Sequence, residues 1–268
     1  MWSFKRNSRP GAEQAARRLV ILKHVVASAL IVPPRDMLQE LKAEWNADER
    51  GKFERDAAER RDELWSRLRH AGLWQHLSPK ELEHTRSSAA SMTERQQVDA
   101  SWRLEAAQTL MWALRILPEL PPFDTKADPG LLRAVPPGDL AEFVRSARLL
   151  DSETIDDARE TAELWHWRSR TRYLIERGEA LPDAPQMRSA GFRSYDDIVR
   201  FTARKAAETK MIPPCLEEDF PARGKAYRDL TQEEWSEVRS ITVERHFALN
   251  WLCGRAPKNR WDETPTAT

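Results

Sequence analysis

Apolar residues recur along this chain at intervals of three and four positions, the spacing that places them on one face of an α-helix. The spacing predicts a first helix from about Ala12 to Leu30. Its apolar face carries Leu19, Leu22, Val26, Ala29 and Leu30. Pro33 and Pro34 end this helix, because proline lacks the backbone N–H that a helix interior needs.

The pattern predicts a second helical region from Met37, with a possible break near Gly51. One side of it is apolar (Phe53, Ala57, Leu64, Leu68, Ala71), and the rest is densely charged, which is typical of a solvated surface helix. Ser78-Pro79-Lys80-Glu81 predicts the start of another helix. The serine caps the backbone, the proline occupies the first turn and the glutamate completes a capping box.

A central helix is predicted from Thr93 to Leu117, with apolar residues on two sides. Trp102, Leu110, Leu114 and Leu117 lie on one side, and Val98, Trp112 and Ile116 on the other. Only a narrow arc around Gln108 and Arg115 is left for water. We therefore expect this helix to pack against neighbours on both sides.

Prolines and turn residues punctuate the rest of the chain. Residues 118–137 hold six prolines and are expected to form an irregular loop, and residues 178–193 a second one. Helices are predicted over about 139–150, 153–176, 194–211 and 231–253, with a turn-rich segment over 212–228. The sequence thus predicts an all-α, irregular multi-helix bundle with long proline-rich connections and little or no β-structure.

We expect one helical domain over residues 1–268. It comprises a flexible N-terminus (1–11), an N-terminal helical part (12–92) and a C-terminal helical part (93–268). Glycine is scarce, whereas alanine, leucine, glutamate and arginine dominate, a composition that favours helix over strand. The length allows a substantial core.

The charge balance argues against nucleic acid as a partner. Lysine plus arginine equals 43, and aspartate plus glutamate also equals 43, so the chain as a whole has no basic field. The most apolar run, residues 19–32, is interrupted by Lys23 and His24 and is too short to span a membrane. Cys215 and Cys253 show no metal-site spacing. We expect a cytoplasmic monomer or homodimer without a metal or cofactor.

An arginine interrupts the apolar stripe of the last predicted helix. The stripe consists of Trp235, Val238, Ile241, Leu249 and Leu252, and Arg245 falls in its middle. A buried guanidinium keeps its charge, so it needs an acidic or carbonyl partner unless its head reaches water.

The central helix offers a matching carboxylate, Glu105, among apolar and small side chains. We hypothesise that Glu105 and Arg245 form a buried bidentate pair between the two helices. His246 and Asn250, one turn apart, extend this network in the hypothesis, and Asp262 after Trp261 folds back onto it. Two interpretations stay open: the network fixes helix register, or it lines a ligand pocket with Trp112 or Trp251 as a wall.

Searches for catalytic motifs are negative. Gly224-Lys225 resembles the end of a phosphate-binding loop, but Asp219 stands where the first glycine is required. The chain contains no G-x-S-x-G, no G-x-G-x-x-G and no H-E-x-x-H motif. No residue is therefore assigned a catalytic role from a motif.

Four blocks of the sequence resemble a known bacterial family. They are Trp102-Arg103-Leu104-Glu105-Ala106 with Leu110-Met111-Trp112-Ala113-Leu114, Asp219-Phe220-Pro221 with Gly224-Lys225-Ala226-Tyr227, the run from Glu244 to Leu252, and Trp261-Asp262-Glu263-Thr264-Pro265-Thr266. The family is called domain of unknown function 4272. The resemblance spans Ala15 to Thr268, with its strongest part after Phe220, and it implies no particular reaction.

Two functions from different classes fit these observations. The first is a non-catalytic binding, interaction or regulatory protein whose partner is another protein or a small polar ligand. The alternative is a hydrolase or transferase acting on a small polar or anionic molecule. In that case Glu105 or Asp262 is the acid–base group and Arg245 holds the anion.

Overall fold

The computed structural model describes residues 8–87, 92–136, 138–181, 189 and 191–268. Its longer helices are α1 (Ala12–Ala29), α2 (Arg35–Glu44), α3 (Ala47–His70), α4 (Pro79–Arg86), α5 (Glu94–Ala113), α6 (Leu140–Ser146), α7 (Ser152–Glu176), α8 (Tyr195–Glu208) and α9 (Gln232–Leu252). Short 3₁₀ turns cover Trp74–His76, Pro129–Ala134, Tyr227–Asp229, Pro257–Asn259 and Trp261–Glu263. The prediction of an all-α fold is confirmed.

Polar side chains fix where several helices begin. Ser78 caps α4 and Thr231 caps α9, each with a glutamate three residues later that bonds back to the cap. Both capping boxes were predicted. The break between α2 and α3 falls at Asn46 and not near Gly51, which lies inside α3. The reason is a further capping box, in which the Asn46 side chain accepts N–H bonds from Asp48 and Glu49.

Helix α5 ends earlier than the predicted boundary at Leu117. Arg115 adopts a left-handed backbone conformation with φ of 62°, which directs the chain out of the helix. The N–H groups of Arg115 and Ile116 then bond to the carbonyls of Trp112 and Met111. These bonds satisfy the last turn of the helix, as a C-terminal cap does.

Helices α1, α5 and α9 form the centre of the molecule. Helix α5 packs against α1 on one side and α9 on the other, as its two apolar faces predicted, and α9 also packs against α7. Helices α3 and α6 lie against α1, and α8 lies against α7. Buried apolar side chains from Ala15 in α1 to Trp261 near the C-terminus belong to one core.

The connecting segments are less regular. Strands β1 (Pro221–Ala222) and β2 (Lys225–Ala226) form a small antiparallel hairpin. The loop predicted over residues 178–193 lies largely outside the described residues, as do residues 1–7 of the predicted flexible N-terminus. In the described remainder of that N-terminus, Pro10 is buried and Arg9 forms an ion pair with Asp156. Within the described ranges, no helix has the length and apolarity needed to span a membrane.

Candidate functional site

Arg245 and Glu105 meet in the core between α9 and α5. Every apolar residue of the predicted α9 stripe is buried, and Arg245 itself has no exposed surface. Its Nε and Nη2 atoms lie 3.0 Å and 2.8 Å from the same Glu105 oxygen, Oε2. The other oxygen, Oε1, accepts the backbone N–H of Ala127 at 2.8 Å. The predicted contact is present, although both guanidinium nitrogens share one carboxylate oxygen.

The remaining donors of Arg245 hold the proline-rich loop that follows α5. Nη1 donates to the carbonyls of Pro121 and Pro122 at 2.6 Å and 2.9 Å. Nη2 donates to the Thr125 carbonyl at 2.7 Å and contacts Gln108 Oε1 at 3.2 Å. Gln108 is buried, so the arc predicted to face water is closed at this position, whereas Arg115, its other member, is exposed. All five N–H groups of a guanidinium are therefore engaged within the protein.

His246 and Asn250 lie on another face of α9 and form a second, separate cluster. Asn250 Nδ2 donates to the Pro265 carbonyl and contacts His246 Nε2 at 2.9 Å. His246 Nδ1 lies 2.9 Å from His166 Nδ1 on α7. The Asn250 amide donates its hydrogen bond to His246 Nε2, so Nε2 is the acceptor and the ring hydrogen of His246 lies on Nδ1. This Nδ1–H group donates to His166 Nδ1.

Burial keeps these two imidazoles neutral. Desolvation lowers the pKa of His166 to about 4, with further lowering from Arg239 and Arg170. Desolvation also lowers the pKa of His246 to about 3, and the neighbouring His166 adds to the effect. The cluster ties the C-terminal segment to α7 and α9 through uncharged hydrogen bonds.

Asp262 and Trp261 lie at a third place, beside α4. Asp262 accepts hydrogen bonds from Ser78 Oγ and from the Lys80 backbone N–H, both at 2.9 Å. Trp261 lies under the guanidinium of Arg18, whose Cζ is 5.2 Å from the ring centroid. The carboxylate thus binds the N-terminus of α4, where backbone N–H groups have no acceptor within the helix.

The seven candidate residues therefore do not form one cluster. Glu105 and Arg245 are buried together, His246 and Asn250 bond to His166 and Pro265, and Trp261 and Asp262 hold α4. Trp112 is buried in the apolar core. The positions of Glu105 and Arg245 on their helices predicted the ion pair. They did not predict which neighbours the other five side chains contact.

A cleft that the sequence reasoning missed lies between α1, α4, α5, α9 and the C-terminal segment. Its volume is about 550 Å³. The charged residues lining it are Lys80, Glu81, Glu83, Asp99, Arg103, Arg239, Glu244 and Asp262, and Trp102 and Trp261 contribute aromatic surface. A cleft of this size falls within the range of small-molecule sites in proteins.

An ion pair between α5 and α9 lines this cleft. Arg103 Nη1 donates to Glu244 Oε2 at 3.0 Å, and the two side chains are 23% and 16% exposed. Burial raises the pKa of Glu244, against the lowering effect of Arg103. A sequence signal for this pair existed: Arg103 precedes Glu105 by two residues, and Glu244 directly precedes Arg245, with the charges reversed.

A second cavity lies on the other side of Trp102. It has a volume of about 860 Å³ and is lined mainly by apolar residues of α1, the following Pro33-Pro34 segment and α5, with Glu105 also in its wall. Trp102 lines both cavities. The partly exposed Arg103–Glu244 ion pair lies in the wall of the cleft, so we take the cleft as the candidate site.

A further buried ion pair lies at the hairpin. Arg168 on α7 donates from Nε and Nη2 to the two oxygens of Asp219 at 2.7 Å and 2.6 Å. Asp219 also accepts the backbone N–H groups of Phe220 and Arg228. Asp219 was noticed in the sequence only as a residue that breaks a phosphate-loop pattern; its structural role is to organise the hairpin against α7.

The structure shows no candidate metal site among the residues that it describes. There, no group of three or more histidine, cysteine, aspartate or glutamate side chains is placed to hold a metal ion. Desolvation raises the pKa of the buried Cys253 thiol to about 12, which opposes a nucleophilic role at neutral pH.

Comparison with known families gives one match. The profile of the family described as domain of unknown function (DUF4272) covers residues 2–193 of this chain. The chain belongs to this family. The match includes the blocks around Trp102-Arg103 and Trp112, whereas the blocks after Phe220, which carry the strongest part of the resemblance, lie beyond it. Neither the curated proteins nor the solved structures include a match.

Residues from inside and outside the family match line the cleft together. Trp102 and Arg103 come from the matched part, and Glu244, Trp261 and Asp262 come from the segment after it. Each of these five residues belongs to one of the blocks that carry the family resemblance. The cleft is thus the place where separate parts of the sequence pattern meet in space.

Proposed function

We propose that this protein binds a small polar molecule in the cleft between α4, α5, α9 and the C-terminal segment. One observation carries the proposal: the Arg103–Glu244 pair lies in the cleft wall and uses only part of its hydrogen-bonding capacity. Among the described residues, its single hydrogen bond joins Arg103 Nη1 to Glu244 Oε2. Further donors of Arg103 and the second oxygen of Glu244 are available to a ligand.

The contrast with Arg245 supports the choice of this site. Arg245 lies one residue after Glu244, yet its N–H groups are all engaged by Glu105, Gln108 and loop carbonyls. It has no donor left for an anionic ligand. Asp262 lies apart from the buried Glu105–Arg245 pair, so we do not propose that these three residues form a catalytic site.

The position of the cleft fits a regulatory role for binding. Its walls come from the N-terminal helices, the central helix α5 and the segment around Trp261. A ligand there contacts elements that are far apart in sequence, and it therefore stabilises the folded arrangement of all of them. We place the protein in the cytoplasm, because Cys215 and Cys253 are both free thiols.

A screen with a steric block tests the proposal. Polar metabolites, grouped as anions, cations, zwitterions and neutral compounds, are tested by saturation-transfer NMR on the full chain. Ser240 lines the cleft from α9, and Ser240→Trp fills space there without removing a charged group. We expect compounds that bind the wild type to lose their signal with Ser240→Trp.

Ser236→Trp is the matched control, because Ser236 is exposed one turn earlier on α9 and is outside the cleft lining. It should bind the same compounds as the wild type. Signals that survive Ser240→Trp as well as they survive Ser236→Trp would place binding elsewhere and refute the proposal. A screen without any hit would refute it too.

A further inference from the structure

We infer that the cleft recognises an organic cation, a small molecule carrying an ammonium or guanidinium group, through the carboxylates of Glu81 and Glu244. This inference rests on the proposed function, because it names the ligand class of the same cleft. Three independent features of the cleft support it: an unpaired buried acceptor, a half-used carboxylate and an excess of acidic groups.

The unpaired acceptor is Glu81 Oε1. Glu81 lines the cleft from α4 and is only 6% exposed. Its Oε2 atom accepts from Arg18 and from the Ser78 backbone N–H, but its buried Oε1 atom has no hydrogen-bond partner among the described residues. A buried acceptor without a donor is energetically unfavourable. A cationic N–H group from a ligand removes this cost and adds a charge-assisted bond.

Glu244 supplies the second carboxylate, from α9. Its Oε2 atom accepts from Arg103, and its Oε1 atom is not used by any described residue. Burial raises the pKa of this carboxyl group, so the charged form lacks full solvation in the free protein. A ligand cation replaces the missing solvation, and the gain is larger than for an exposed carboxylate.

The balance of charge in the lining points the same way. Five carboxylates line the cleft (Glu81, Glu83, Asp99, Glu244, Asp262), against three cations (Lys80, Arg103, Arg239). Burial lowers the pKa of the nearby His84 to about 4, so this imidazole adds no positive charge at neutral pH. Among the described residues, the lining thus carries two more negative charges than positive ones, and Arg18, which pairs with Glu81 from outside the lining, offsets one of them.

Among the described residues, none of the cationic lining side chains has a buried atom without a hydrogen-bond partner. Lys80 and Arg239 are exposed to solvent, and Arg103 already has Glu244 opposite it. The Arg18 Nε atom is buried and unpaired, but Arg18 is outside the cleft lining. The polar atom of the lining that is both buried and unpaired is thus an acceptor.

Aromatic side chains form part of the cleft wall. Trp102 and Trp261 line the cleft, and each already holds a protein cation against its ring. Lys126 Nζ lies 4.8 Å from the Trp102 centroid, and Arg18 Cζ lies 5.2 Å from that of Trp261. Such contacts are attractive because the face of an aromatic ring is electronegative.

Probes of one length and different charge test the inference. The full-length protein is titrated, by saturation-transfer NMR and calorimetry, with 1,5-diaminopentane, 1,5-pentanediol and glutarate, and with L-argininamide as the guanidinium probe. We expect the diamine and L-argininamide to bind about tenfold tighter than the diol, because a hydrogen bond between charged groups is stronger than one between neutral groups. Glutarate should bind no better than the diol.

Two variants assign the contact. Glu244→Gln and Glu81→Gln should each weaken diamine binding by about tenfold. Glutamine at position 81 can still complete the capping box of α4, and Glu244→Gln leaves that helix untouched, so a folding defect in one variant does not decide the result. Glu142→Gln is the control, because Glu142 is exposed on α6 and distant from the cleft lining.

The outcomes separate this inference from the proposed function. Cation binding that both carboxylate variants and Ser240→Trp weaken supports it. Tighter binding of glutarate, abolished by Ser240→Trp, would overturn the cation preference and leave a ligand-binding cleft in place. Equal affinity of all four probes would also overturn it. If no probe binds and the metabolite screen is empty, both proposals are refuted.

Discussion

Two oppositely directed ion pairs connect α5 and α9 at their crossing. Arg103 on α5 pairs with Glu244 on α9, and Glu105 on α5 pairs with Arg245 on α9. The second pair is fully buried and saturated, whereas the first is partly exposed in the cleft. A difference of one or two positions along a helix thus separates a structural pair from one that offers atoms to a ligand.

Single substitutions in the buried pair should be strongly destabilising. Glu105→Gln leaves the guanidinium without its carboxylate, and we expect a loss of about 3 kcal/mol in the free energy of unfolding. Arg245→Met should cost more, about 4–5 kcal/mol, because the loop carbonyls of Pro121, Pro122 and Thr125 also lose their donors. Urea unfolding, followed by circular dichroism, measures both values.

The double variant tests whether the two side chains act as a unit. Its loss should be clearly smaller than the sum of the single losses, because each single change already removes the shared interaction. Arg145→Met serves as a control, since Arg145 forms an exposed pair with Glu142 and should change stability by less than about 1 kcal/mol. Additive losses from Glu105 and Arg245 would contradict the coupling that the geometry shows.

At the scale of elements, capping signals predicted boundaries better than apolar spacing did. Ser78 and Thr231 marked the starts of α4 and α9 correctly, because a side-chain acceptor three residues before a glutamate has a local physical effect. Asn46, three residues before Glu49, is the same capping signal for α3, whereas the predicted break near Gly51 rested on the glycine alone. The end of α5 could not be predicted from the sequence, because an arginine and not the usual glycine adopts the left-handed conformation there.

Asp262 connects two elements that are distant in sequence, and its removal should loosen the C-terminal segment. Asp262→Ala deletes the acceptor for Ser78 Oγ and the Lys80 N–H, so residues 257–268 lose their attachment to α4. We expect faster amide hydrogen exchange there and in the first turn of α4, and a loss of about 1–2 kcal/mol in stability.

The adjacent Glu263→Ala is the matched control, because Glu263 forms an exposed pair with Arg260. Its exchange rates in α4 should equal those of the wild type. Unchanged protection of the C-terminal segment in Asp262→Ala would show that the apolar contacts of Trp261 with Phe247 and Trp251 hold the segment without the carboxylate.

At the scale of the whole molecule, the sequence predicted the class of fold and one long-range contact. The stripe on α9 required a partner for Arg245, and Glu105 was the acid with suitable neighbours. The cleft was not predictable in the same way, because its residues come from five separate segments whose arrangement depends on the packing of α1, α5 and α9. Helix periodicity identifies a buried face but not which neighbour covers it.

Histidine burial gives the whole molecule a defined response to acid. Burial lowers the pKa of His84 and His166 to about 4 and that of His246 to about 3, from an ordinary value of 6.5. The unfolded chain therefore takes up protons below pH 6.5 that the folded chain refuses. Stability is fully present above this pH and falls as the pH drops towards 4.

Between pH 7 and pH 5.5 we expect each of these histidines to contribute a loss of about 1 kcal/mol, measured as the free energy of unfolding in urea at a series of pH values. The raised pKa of Glu244 acts in the opposite direction, because the folded chain binds that proton more readily than the unfolded chain does. His166→Asn should reduce the slope of stability against pH, whereas the exposed His70→Asn should leave it unchanged. A flat profile down to pH 5 would mean that these imidazoles accept protons in the folded state.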